Sequence, residues 1–155
     1  MYKSGQFIHF LSLKEDWFEE ADGPSETIKA IRPGSILDIG ETVNTLTEIY
    51  EFLSRLAKHG IYKDGIGVEV GLYNVRNVSR ELKILNPRRL PLVSDYVTET
   101  QKISFLKQYS EKEVLQHSKG LAMDTILEIF SRFNWDDPPL ETIIGDQQEL
   151  LGRDS

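Results

Sequence analysis

The sequence predicts an α+β fold: a four- to five-stranded, mainly antiparallel sheet with two long helices packed on one face. Apolar residues alternate with a period of two in several short segments and recur at three- and four-residue steps in two long ones. Strands and helices also fail to alternate regularly along the chain, which argues against a doubly wound nucleotide-binding fold.

The elements follow in chain order. Phe7, His9, Leu11 and Leu13 alternate with Ile8, Phe10 and Ser12, a strand period with apolar residues on both faces, so a covered strand is expected there. The acidic stretch Glu15-Asp16-Trp17-Phe18-Glu19-Glu20-Ala21-Asp22, closed by Gly23-Pro24-Ser25, reads as a short helix or loop with solvated acids. Ile36, Leu37 and Ile39 form a short extended run after Pro33-Gly34. Val43, Leu46, Ile49, Tyr50, Leu53, Leu56 and Ala57 then predict a helix from Glu41 to His59, with acids early and bases late as the helix dipole favours. Gly60 stands where a left-handed cap belongs.

Ile66 to Val75 and Arg80 to Leu85, joined by Arg76-Asn77-Val78-Ser79, predict an antiparallel hairpin. Ile103, Phe105, Lys107 and Tyr109 mark a further strand. Ser110-Glu111-Lys112-Glu113 has the form of a capping box. Behind it, Val114, Ser118, Ala122, Ile126, Ile129, Phe130 and Phe133 predict one helix towards Trp135, passing through Gly120 at about 1 kcal/mol relative to alanine. Asp136-Asp137-Pro138-Pro139 breaks this helix. Residues 1–135 thus read as the α+β domain, and 136–155 as an amphipathic tail that packs on the domain or on a partner.

Composition narrows the functions. A chain of 155 residues is long enough to bury one core without staples, and with no cysteine it has no disulfide, thiolate ligand or thiol nucleophile. No signal-peptide pattern and no apolar run near the roughly eighteen residues of a membrane span occur, so no membrane association is expected and the cytoplasm is the simplest placement. The net charge of −7 opposes general nucleic-acid binding, leaving Arg88 and Arg89, bracketed by Pro87 and Pro91, as the densest basic contact point.

Chemistry-bearing patterns are sparse. His9, His59 and His117 lack metal-ligand spacing, and no phosphate-cradling glycine loop or nucleophile elbow is present, so neither a metal nor a cofactor is expected. The sharpest pattern is Asp64 followed by Glu81-Leu82-Lys83, the acid and E-x-K trio with which restriction-type nucleases hold Mg²⁺ on a hairpin. In a chain with 28% charged residues the same pattern also describes the solvated face of a strand. Trp17-Phe18, an aromatic pair amid acids, suggests a contact surface.

The stretches "YKSGQFIHFLSLKEDW" and "TVNTLTEIYEFLSRLA" resemble the C-terminal region of bacterial Schlafen/AlbA-type ATP-binding or transcription-regulator proteins. The resemblance spans most of residues 2–135 and its motifs are structural. It implies an accessory half that in those proteins follows an AlbA-like domain absent from this chain, so ATP and nucleic-acid binding transfer to no residue here. The expectation is a non-enzymatic accessory or interaction domain with a protein partner or a second copy of itself. A metal-dependent nuclease using Asp64, Glu81 and Lys83, or a small-ligand sensor, are the alternatives.

Overall fold

The computed structural model describes residues 6–17, 34–73, 79–86, 92 and 94–153. After a 3₁₀ turn, Lys14–Trp17, come β1 (Ile36–Asp38), α1 (Ile39–Lys58), β2 (Ile66–Tyr73), β3 (Arg80–Lys83), β4 (Val97–Thr98), β5 (Lys102–Tyr109), α2 (Glu111–Ser131) and α3 (Leu140–Arg153). The architecture is α+β, with the five strands divided between two small sheets.

One sheet has the order β1-β3-β4 and the other pairs β2 with β5. The expected β2–β3 hairpin does not form. Instead β2 pairs antiparallel with β5 over eight residues, from Ile66 opposite Tyr109 to Tyr73 opposite Lys102. Length explains the choice: a four-residue β3 would leave half the β2 ladder unpaired, whereas β5 matches it and sets Val70 opposite Phe105 and Leu72 opposite Ile103 on the inner face. Strand β3 runs parallel to β1 and antiparallel to β4.

Helices α1 and α2 lie antiparallel; one end packs under the first sheet together with Ile103 of the second, and the other end under the second sheet alone. Val43 and Leu46 meet Ile126, Ile129, Phe130 and Phe133 beneath Leu37 and Leu82 of the first sheet. Tyr50, Leu53 and Ala57 meet Val114 and Ala122 beneath Ile66 and Val68 of the second. Helix α3 closes the bundle through Ile143, and the buried Gln147 donates to Thr47 Oγ1 of α1 and to the Lys119 carbonyl of α2, both at 3.1 Å.

Local signals place the helix ends. Gly60, at φ 68°, closes α1 in a Schellman motif: its N–H bonds the Ala57 carbonyl at 2.8 Å and the Ile61 N–H bonds that of Leu56 at 3.3 Å. Asn134, at φ 64°, does the same for α2, with its own N–H on Ser131 and that of Trp135 on Phe130. Trp135 then packs on Phe130 and stacks on Tyr96, while the Asn134 side chain donates to the Val97 carbonyl of β4. The capping box forms reciprocally between Ser110 and Glu113, and the Ser110 hydroxyl and N–H hold the Glu113 carboxyl below its ordinary pKa. Helix α2 bends at His117 (φ −134°, ψ 20°) and not at Gly120; next to the bend, buried Ser118 donates to Glu51 of α1 at 2.6 Å.

A directed hydrogen-bond chain joins the second core to α2. Thr125 donates its only proton to the Leu121 carbonyl, so Tyr50, 2.7 Å away, must donate to Thr125. Tyr109, 3.2 Å from Tyr50, in turn donates to it. Burial holds the Tyr50 phenol above its ordinary pKa. Tyr50→Phe removes both the donor to Thr125 and the acceptor for Tyr109, and should lower the unfolding free energy in a urea titration by about 1–2 kcal/mol. An unchanged midpoint would show that the chain contributes nothing.

Residues 7–13 do not form the covered strand that their period predicts. Among the described residues they have no ladder partner, and Phe7, Ile8, Phe10 and Leu11 face solvent. Phe7 packs on Phe52 of α1 with ring centroids 5.2 Å apart, and Lys14 lies 3.9 Å from Glu41. The segment therefore runs along the outer face of α1, antiparallel to it, spanning the roughly 16 Å between those two helix positions.

Candidate functional site

Glu15 and Asp16, after this segment, are not the solvated face that the sequence suggests, while Glu19, Glu20 and Asp22 lie outside the described residues. Glu15 is only 1% exposed, and its Oε1 accepts the Asp38 N–H at 2.9 Å. Asp16 Oδ1 accepts the Gly34 N–H, also at 2.9 Å. Gly34 lies just ahead of β1 and Asp38 is its last residue, so the two acids occupy the outer edge that a neighbouring strand would otherwise take. This is the physical reason why residues 7–13 remain outside the sheet.

Beneath the acids lies Arg80, the first residue of β3 and 1% exposed. Its two terminal nitrogens each lie 3.1 Å from an oxygen of Asp16, a bidentate pair, and one of them also donates to the Ile36 carbonyl at 2.7 Å. Arg80 Nε is buried with no hydrogen-bond partner among the described residues. Asp38, ahead of α1, accepts the Leu85 N–H at 3.2 Å, and its own carbonyl accepts the Thr42 hydroxyl at 2.7 Å. Burial raises the carboxyl pKa of Glu15 and of Asp38, although the N–H groups that they accept pull the other way. The cluster is packed, with every carboxylate engaged in holding backbone. It positions elements, with Glu15 and Arg80 fully buried and Asp16 partly exposed.

Sequence reasoning missed this cluster because acids beside a Gly-Pro turn ordinarily face water. The available signal was the pairing of an acid-rich turn with Arg80, a cation on the same strand face as buried Leu82.

The nuclease-type trio is divided. Glu81 and Lys83 sit on one side of β3 and form an ion pair with each other, and Lys83 lies 4.0 Å from Asp95. Asp64 is exposed in the turn ahead of β2, beside an open depression of about 410 Å³ shared with Gln108 and Glu111. The hairpin that would bring it to β3 is absent, and among the described residues no three His, Asp or Glu side chains gather in a way that could hold a metal. Phe18, Arg88 and Arg89 lie outside the described residues, as does the side chain of Trp17.

A second open depression, of about 370 Å³, follows the bend of α2 and is lined by Glu51, Lys58, His117 and Ser118 among others. Both depressions are open to solvent and mix polar with apolar lining. Apolar character is concentrated at Phe7, Ile8, Phe10 and Leu11, with Phe52 beside them. No helix among the described residues is long and apolar enough to cross a membrane. The chain matches no family model, and comparison with curated proteins and with solved structures finds no match.

Two measurements test the cluster. Asp16→Ala strands the Arg80 guanidinium in the core and should destabilise the protein by about 3 kcal/mol or more, whereas Asp16→Leu combined with Arg80→Met should recover much of that loss. A single variant that melts like the wild type would exclude the buried pair. The second is pH dependence. Because the folded-state pKa of Glu15 lies above its ordinary 4.5, the folded form binds the proton more tightly than the unfolded chain, and stability falls as pH rises through that window. Glu15→Gln keeps an acceptor for Asp38 and removes the buried charge, so its stability relative to wild type should improve from pH 4 to pH 7. A pH-independent difference would rule out the burial of an ionisable carboxyl there.

Proposed function

We propose that the chain is a non-enzymatic interaction domain that acts through protein–protein contact, using the ridge of Phe7, Ile8, Phe10 and Leu11 along α1. The observation that carries this reading is the exposure of four large apolar side chains within five residues, Phe10 at 89%. Scattered exposed hydrophobics are ordinary, but a contiguous run of this kind marks a contact surface. The openness of both depressions and the packing of the acid–arginine cluster favour it over a small-ligand sensor. A cytoplasmic setting and an accessory role beside a regulatory or ATP-binding domain, as the Schlafen/AlbA resemblance implies, belong to the same proposal.

If the ridge is a contact surface, its side chains contribute little to the isolated fold. Phe10→Ser should shift stability by no more than about 0.5 kcal/mol, against the 3–5 kcal/mol expected if Phe10 were a core strand residue. A photo-reactive residue at position 10 should crosslink to protein in cells, and one at exposed Glu99 should not. Equal yields at the two positions would remove the basis for the proposal.

A further inference from the structure

We propose that residues 6–12 pair with the same residues of a second copy of the chain, as an antiparallel two-stranded contact at the centre of a two-fold homodimer. This rests on the protein-contact reading above and names the partner. A segment of strand period with apolar residues on both faces needs two things at once: ladder partners for its backbone and cover for its side chains. Among the described residues it has no ladder partner, because Glu15 and Asp16 occupy the outer edge of β1, and its cover is limited to Phe52 against Phe7. A second copy supplies both, and an antiparallel segment paired with itself is two-fold symmetric, so association closes at two.

The register follows from matching side chains. Centred on His9, the pairing sets Phe7 opposite Leu11 of the other copy and Ile8 opposite Phe10, with Gln6 opposite Ser12 at the ends. Every other whole-residue register nearby sets an apolar residue against a polar one. Charge points the same way: in a chain of net charge −7, residues 6–13 contain no Asp, Glu, Lys or Arg, so two copies meet there without like-charge contact. The area is sufficient as well. With Phe7 58%, Ile8 59%, Phe10 89% and Leu11 52% exposed, these four side chains present roughly 500 Å² per copy, or about 1,000 Å² for the pair, where specific interfaces begin.

The test is the mass of the full chain in solution by light scattering, together with amide hydrogen exchange over residues 6–13. Wild type is expected at twice the monomer mass at micromolar concentration with slow exchange in the segment and a thermal transition that rises with protein concentration, and Phe10→Asp at monomer mass with a cooperative transition that does not. Because the chain has no cysteine, His9→Cys should give a covalent dimer on mild oxidation, and Ile8→Cys, which faces Phe10 and not itself, should not. A monomeric wild type overturns the homodimer, and exchange then separates two cases. Fast exchange leaves the segment open to a different protein and the contact reading intact. Slow exchange in a monomer places the segment on its own domain and overturns both. A dimer that survives Phe10→Asp and does not crosslink at position 9 also overturns the proposal.

Discussion

The bidentate pair between Arg80 and Asp16 is the constraint on which the rest of the described structure turns. It fastens the 3₁₀ turn to the start of β3, sets Glu15 and Asp16 against the outer amides of β1, and so decides which way the preceding segment must leave. A buried guanidinium is unfavourable unless matched, and the match here also satisfies backbone groups of β1. The same contacts that complete the small sheet direct the most apolar stretch of the chain outward.

Functionally, that inversion separates two kinds of polarity. The acids one expects at the surface are inside, and the aromatics one expects inside are at the surface. Carboxylates with raised pKa values in a cleft are candidates for acid–base chemistry, but Glu15 and Asp38 are buried and spend their oxygens on backbone N–H groups. Their desolvation follows from a structural task. The surface feature without an internal explanation is the apolar ridge.

The helical half of the molecule was the more legible. Helix α1 extends from Ile39 to Lys58 where the sequence predicts Glu41 to His59, and its Gly60 cap and the Ser110–Glu113 capping box form as read. These signals are local: a 3.6-residue period, a positive φ and a hydroxyl three residues from a carboxylate are all decided within a few residues. The trio of Asp64, Glu81 and Lys83 was legible only in part, since alternation sets Glu81 and Lys83 on one face of β3 whatever the strand pairs with, whereas the place of Asp64 depends on a hairpin.

Strand pairing and burial were settled at longer range. The sequence by itself determined the α+β class, both long helices with the Gly60 cap and the Ser110–Glu113 capping box, and the tendency of residues 7–13 towards an extended, apolar conformation. Only the tertiary structure decided that β2 pairs with β5, that β1 and β3 run parallel, and that Glu15 and Asp16 occupy the edge beside which residues 7–13 would otherwise have lain. The physical reason is that helix hydrogen bonds close over four residues, whereas a strand's partners are chosen by competition among distant edges, which ladder length decided for β2 and β5 and the Arg80–Asp16 pair for the outer edge of β1.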